Sequence, residues 1–282
     1  MSGSLPEYLA VPPGRLGCGS SVKVCLAGDT HDVARRMAEE MLAIVAAAQA
    51  ASRCPTLIVP VGPVDQYPLL AGLINDRRDD WREVMLVNMD EYLDERDRWI
   101  DPDHPLSFCG LMQRKFYDLV DPGLAPRLEN RVFPDPGECG AIERRIAARG
   151  GADACFGGVG INGHIAFNEP PEPGQACSVE AFAALPTRVL DLSRETRTIN
   201  AVTVGGELSV VPRRAVTVGM REILAARRLR FYCNRPWQQG VIRRVLHGPL
   251  TAACPASLLR THADAAVTVA DYVAAVPEIR LR

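Results

Sequence analysis

Short apolar runs alternate along this chain with longer stretches in which apolar positions recur every three or four residues. Val22 to Ala27, Thr56 to Val61, Val84 to Val87, Ala152 to Phe156, Ala215 to Val218, Arg228 to Cys233 and Val267 to Val269 read as strands. Within Thr56–Val61, Leu57-Ile58-Val59 suits burial on both faces of a sheet. From about Asp32 to Ala51, Val33, Met37, Met41 and Ile44 share one helical face, with Asp29 or Thr30 as its cap. Tyr67 to Asn75, Phe108 to Leu119 and Glu138 to Arg149 also read as helices, and a further one starts at Pro236 and stops before Gly248. Strands alternating with helices predict an α/β fold, an open, mostly parallel, twisted sheet with helices on both faces. With no internal repeat and no long linker, residues 22–282 are expected to form a single Rossmann-like domain. Residues 1–21, rich in Gly, Pro and Ser, read as a flexible or surface-lying extension, neither a signal peptide nor a membrane span.

Composition narrows this picture. At 282 residues and 47% hydrophobic, the chain can bury a sizeable core. A net charge of −2 gives no reason to expect a nucleic acid or a membrane surface as partner. Lys23 and Lys115 are the only lysines, a bias toward Arg that points to no function. The nine cysteines show no C-x-x-C pair and no zinc spacing; an odd count without a signal peptide predicts reduced thiols in a cytoplasmic protein. Each reads as a small buried hydrophobe.

The densest chemistry lies in Gly157-Gly158-Val159-Gly160-Ile161-Asn162-Gly163-His164-Ile165-Ala166-Phe167-Asn168-Glu169-Pro170, directly after an apolar run. A glycine turn at a strand end brings backbone N–H groups against a ligand, and a nearby His and Glu suit proton transfer. Asn88-Met89-Asp90-Glu91-Tyr92 follows another strand, so a parallel sheet delivers both segments to one edge, although Asp90 alone also reads as a cap or turn residue. Gly158-x-Gly160-x-x-Gly163 matches the dinucleotide fingerprint literally, but Pro170, Pro171, Pro173 and Gly174 leave no room for the helix that fingerprint opens. No nicotinamide cofactor is expected. His104 and His262 read as surface or cap residues.

Both segments resemble signatures of the glucosamine-6-phosphate deaminase/isomerase family. Further matches follow in order: His104-Pro105-Leu106-Ser107-Phe108, Thr196-Arg197 with Asn200, Val211-Pro212 with Ala215-Val216-Thr217-Val218-Gly219, and Pro255-Ala256-Ser257-Leu258-Leu259. The resemblance spans roughly residues 22–271 and implies aldose–ketose isomerisation of a 2-amino sugar with loss of ammonia. It implies that Asp90 moves a proton between C2 and C1, that His164 opens the pyranose ring, and that Glu169 and Asn162 orient His164. It further implies that main-chain groups of Gly158, Gly160 and Ala166 hold sugar hydroxyls. No metal or organic cofactor is needed, and a homo-oligomer is expected.

The chain also departs from the family. Asn162 stands where many members have Asp, which removes one negative charge beside His164. Members hold the sugar phosphate with a hydroxyl-bearing loop after the second strand; here it reads Pro60-Val61-Gly62-Pro63-Val64-Asp65, leaving Gly62 and Asp65 to face the substrate. Val202 falls where an Arg ligand is expected, and Gln238 or Trp237 where a Lys is expected. Three losses at one subsite predict a substrate without the 6-phosphate, contacted by Gln238 and Asp65. The alternative is an ordinary deaminase whose phosphate is held by Arg213, Arg214, Arg235 or another Arg. Between Pro170 and Thr187 the chain is longer than its relatives' pattern, suiting a lid or a subunit contact. Arg188 matches a residue of the family's allosteric phosphosugar site but Leu190 replaces a basic one, so that regulation is expected to be absent. A lactonase of the 6-phosphogluconolactonase branch and a non-catalytic sugar sensor remain as rival functions. The first continues the Gly-His turn differently, and the second has no need of a proton relay.

Overall fold

The computed structural model describes residues 4–280; the outermost residues of the two segments expected above, 1–3 and 281–282, lie outside them. In chain order the elements begin with β1 (Lys23–Ala27), α1 (Thr30–Ala50), β2 (Thr56–Val59), α2 (Gln66–Arg77), β3 (Met85–Asn88) and β4 (Asp90–Leu93). There follow α3 (Phe108–Met112), β5 (Arg131–Val132), α4 (Ala141–Ala148), β6 (Ala154–Gly157), α5 (Val179–Ala183), β7 (Arg188–Asp191) and α6 (Arg194–Ala201). The chain closes with β8 (Arg214–Thr217), α7 (Met220–Leu224), β9 (Leu229–Cys233), α8 (Gln238–His247), β10 (Ala265–Ala270) and α9 (Asp271–Ala274).

Seven strands form one parallel sheet in the order β1-β10-β9-β6-β2-β3-β5. The expected both-face burial holds for β2, β3 and β6, each buried along its whole length, whereas β1 at the edge leaves Leu26 half exposed. Asp29 caps α1 by accepting the Asp32 amide at 2.8 Å, and Val33, Met37, Met41 and Ile44 lie on its buried face. The helix expected over 108–119 is α-helical only to Met112; Gln113–Tyr117 forms a π turn.

A second, three-stranded antiparallel sheet, β4-β8-β7, was not anticipated. The chain steps into it directly from β3 through Met89, so Asp90 opens β4 at the carboxyl edge of the large sheet. There Asp90 pairs with Thr217, and a small core of Tyr92, Phe167, Leu192, Ala201, Val211 and Ala215 anchors the pair. In the large sheet β2 leads to β3 on one side, while β6 leads on to β9 on the other. The adjacent carboxyl ends of β2 and β6 are therefore the topological switch point, where open α/β sheets place their ligand crevice.

Residues 4–21 lie along α8. The buried Arg243 donates Nε to the Val11 carbonyl at 2.9 Å and Nη2 to that of Ala274 at 2.6 Å, and the Gly17 amide donates to His247 Nε2 at 3.0 Å.

Candidate active site

The glycine turn after β6 crosses the switch point. A Cβ on Gly158 would stand 3.1 Å from the Gly62 carbonyl oxygen and 3.3 Å from Pro63, which places the β2 loop against the β6 loop. His164 folds back over the turn, its ring lying where a Gly160 side chain would be: a Cβ there would be 2.1 Å from Nε2. Only glycine leaves that space, which is the steric reason for the residue.

The His164 tautomer follows from its neighbours. Asn162 Nδ2 donates to Glu169 Oε2 at 2.7 Å, and a carboxylate only accepts. Asn162 Oδ1 therefore faces His164, accepting its backbone amide at 3.1 Å and lying 2.9 Å from Nδ1. An amide oxygen cannot donate, so Nδ1 carries the proton, with Thr196 Oγ1 at 3.1 Å and Glu169 Oε2 at 3.6 Å beside it. Nε2 has no hydrogen-bond partner among the described residues and is the atom left for a ligand.

Asp90 is built in the same one-sided way. Its Oδ1 accepts the Phe167 amide at 3.1 Å and the Thr217 hydroxyl, while Oδ2 has no partner among the described residues. Phe167 belongs to the turn that carries His164 and Glu169, so one loop positions both candidate groups. Ala166 reaches this docking through a left-handed backbone, φ +53°, at a cost on the order of 1 kcal/mol for a residue with a Cβ.

The two carboxyls are driven apart. Burial pushes Asp90 up to about 7 from an ordinary 3.8; Thr217 and Phe167 hold it down, and the charges of Glu91 and Glu169 add to the rise. Burial also works against ionisation of Glu169, but the imidazole of His164 and the amide of Asn162 outweigh it and hold that carboxyl at about 2. Neighbouring acids separated in this way take different roles: a base poised near neutrality and a permanent anion. Glu91 is spent on structure, accepting the Ser107 hydroxyl at 3.0 Å and the Phe108 and Cys109 amides at 3.1 and 2.7 Å at the start of α3.

Thr217→Val should expose the tuning of Asp90. A hydrogen bond to a charged group is worth about 1.5–3 kcal/mol, or roughly one to two pKa units. The acid limb of kcat/KM should move up from about 7 by about that much, lowering activity through neutral pH and leaving only the plateau well above the new limb near its original value. A pH–rate profile decides it, and an unmoved limb would remove Thr217 from that role.

No protein-family model matches the chain. A glucosamine-6-phosphate deaminase of Streptomyces avermitilis is 30% identical over 235 residues, covering 81% of this chain and 85% of that protein. The enzyme of the same name from Serratia proteamaculans is 31% identical over 244 residues, or 85% and 86% of the two chains. The chain belongs to the glucosamine-6-phosphate deaminase family. A solved monomeric glucosamine-6-phosphate deaminase shares the fold, with a TM-score of 0.75 at 24% identity over 91% of this chain and 100% of that one. So does the 6-phosphogluconolactonase of Thermotoga maritima, with a TM-score of 0.64 at 16% identity over 89% and 100%.

The residues expected around the phosphate subsite, and the arginines that could replace them, fall as follows. Gln238 is buried, its Nε2 donating to the Val159 carbonyl and its Oε1 accepting the Arg235 amide, each at 2.8 Å. It ties the β9 loop to the glycine turn. Asp65 is exposed ahead of α2 and its side chain caps nothing. Gln66 beside it is fully buried and leaves Oε1 unpaired. Val202 is 69% exposed in the turn after α6. Arg214 is ion-paired with Asp97 at the end of β8 remote from Thr217, and Arg213 precedes it. Arg235, exposed at the switch-point edge, makes no side-chain hydrogen bond or ion pair among the described residues.

Ser193, Thr196, Thr217 and Asn168 contact the candidate groups or their loop and had no role assigned from sequence; Arg188, matched there only to an allosteric site, contacts the loop as well. Asn168, Thr196 and Thr217 lay inside quoted family matches, which was the available signal. Among the described residues no cluster of three or more His, Cys, Asp or Glu side chains could hold a metal, and no helix is long and apolar enough to cross a membrane. All nine cysteines are free.

Proposed function

We infer that this chain isomerises a 2-amino-2-deoxy aldose to the ketose with release of ammonia, on a substrate lacking the usual 6-phosphate. The catalytic half rests on one arrangement: Asp90 Oδ2 and His164 Nε2 left without partners among the described residues by a single loop, with Asp90 poised near neutrality. His164 Nε2 relays the proton that opens the ring. Asp90 takes the proton from C2 and returns it to C1, and the imine left at C2 is hydrolysed to the ketone and ammonia. Asn162 and Glu169 keep the imidazole in the tautomer this requires.

The substrate half is supported by Gln238, a neutral amide spent on Val159 and Arg235 near where the resemblance implies a Lys, and by Asp65, an exposed carboxylate whose side chain makes no hydrogen bond or ion pair among the described residues. A second reading has its own observation in Arg235, an exposed guanidinium at the same edge with no side-chain partner among the described residues. The deciding experiment measures ammonia release and ketose formation from glucosamine 6-phosphate beside unphosphorylated 2-amino sugars at matched concentrations. Turnover without the phosphate is expected. Turnover of the phosphorylated sugar alone, abolished by Arg235→Ala, would overturn the substrate assignment and leave the chemistry standing.

A further inference from the structure

The loop that carries the reaction is itself held by a side chain outside it. Asn168 lies between Phe167, whose amide binds Asp90, and Glu169, whose carboxylate binds Asn162 and the Ser193 amide. It is fully buried, and its Nδ2 donates to the carbonyls of Ile165 at 3.0 Å and Val218 at 2.9 Å. Those bonds pin the turn to the end of β8. The remaining valence, Oδ1, accepts Nη1 of Arg188 at 2.7 Å. Arg188 opens β7, immediately after the long 170–187 segment returns to the sheet, and its Nη1 also reaches the Pro186 carbonyl at 3.3 Å.

We propose that Arg188 is a positioning residue for the proposed chemistry: by fixing the Asn168 amide it holds the Phe167 N–H on Asp90 and Glu169 beside Asn162. The guanidinium suits this task. Burial lowers its pKa from the usual arginine value and the buried carboxyl of Glu222 opposes that, while a guanidinium starts far enough above neutrality to stay charged. A correctly fixed amide orientation matters because a flipped Asn168 would set its NH2 against the guanidinium and its oxygen against two carbonyls. The same bond closes the neck of the 170–187 segment, tying its first flank to its last.

The charged and titratable groups facing Asp90 are Glu91 and Tyr92 from its own strand, Glu169 from the turn and Cys155 from β6. Of these only Glu169 sits on the loop that Arg188 holds, so a moved Asp90 titration reports the placement of that loop, the Phe167 amide and Glu169 together. In Arg188→Met the Asp90 carboxyl, followed by ¹³C NMR in the free protein and assigned by difference from Asp90→Asn, should titrate about half a unit or more higher. With the amino sugar that the protein turns over, kcat should fall about tenfold while KM stays within about twofold, since the loss is one of alignment. Arg188→Lys, which keeps a donor for Oδ1, should recover part of both effects.

An unmoved Asp90 titration in folded Arg188→Met would overturn the proposal. So would a Lys variant indistinguishable from the Met variant. If Arg188→Met does not fold, Arg188→Gln, which retains one amide donor, carries the same comparison with Arg188→Lys. The kinetic arm rests on the amino-sugar reading and the titration arm does not, so failure of that reading leaves the positioning role decidable.

Discussion

Asp90→Asn should lower kcat by about a thousandfold or more while sugar binding changes little. The reaction as proposed turns on proton transfer at carbon, for which a positioned base contributes about 10²–10⁴. An amide of the same shape still accepts the Phe167 amide and the Thr217 hydroxyl, so the loop and the binding surface stay in place. Steady-state kinetics with binding measured by calorimetry separate the two, and unchanged turnover would remove Asp90 from the mechanism. Stability should move the other way. Below pH 3.8 the carboxyl is protonated in both folded and unfolded chains; between there and about 7 the folded chain holds a proton that the unfolded chain has lost. Stability contributed by that retained proton is thus lost as pH rises through about 7. Asp90→Asn carries no such penalty and should melt higher than the parent at pH 8, by an amount on the order of a few kcal/mol, and near the parent at pH 4. Glu169 has the opposite sign: its pKa is depressed to about 2, so its contribution is present at neutral pH and fades as pH falls from 4.5 toward 2.

How much of this was legible in the sequence depends on the range over which each residue acts. The parallel sheet was readable because β2, β3 and β6 are buried on both faces and appear as continuous apolar runs. The glycine turn was readable because its demands are local: Gly160 makes room for a ring four residues on. The small sheet was not, because β7 is four residues long with no fully buried position, too short and too mixed to show a period. Thr217 meets Asp90 across 127 residues of sequence through strand pairing, and Arg188, paired to the same Thr217, meets Asn168 across 20 through a side-chain bond; no local pattern announces either. Family resemblance brought Thr196 and Thr217 into view without saying what they touch. Gln238 was placed at the ligand subsite from its position alone; its bonds to Val159 and Arg235 depend on the β9 loop meeting the glycine turn in space.

His164→Gln should slow the cyclic sugar about a hundredfold and an open-chain 2-amino aldose, blocked from ring closure, far less. The imidazole is held on its Nδ1 side by Asn162, Thr196 and Glu169, and presents only Nε2. That geometry suits a relay between two oxygens of one ring, taking the proton from the anomeric hydroxyl and delivering it to the ring oxygen. Once the aldehyde is open, the remaining work is at C2 and C1 and belongs to Asp90. A glutamine can keep a hydrogen bond to Asn162 and cannot exchange a proton at neutral pH, so the substitution removes the relay while keeping a polar side chain at the turn. Parallel kcat/KM measurements on the two substrates test this division. Equal slowing of both would place His164 in the isomerisation step itself, and Asp90 and His164 would then have to share the proton between C2 and C1.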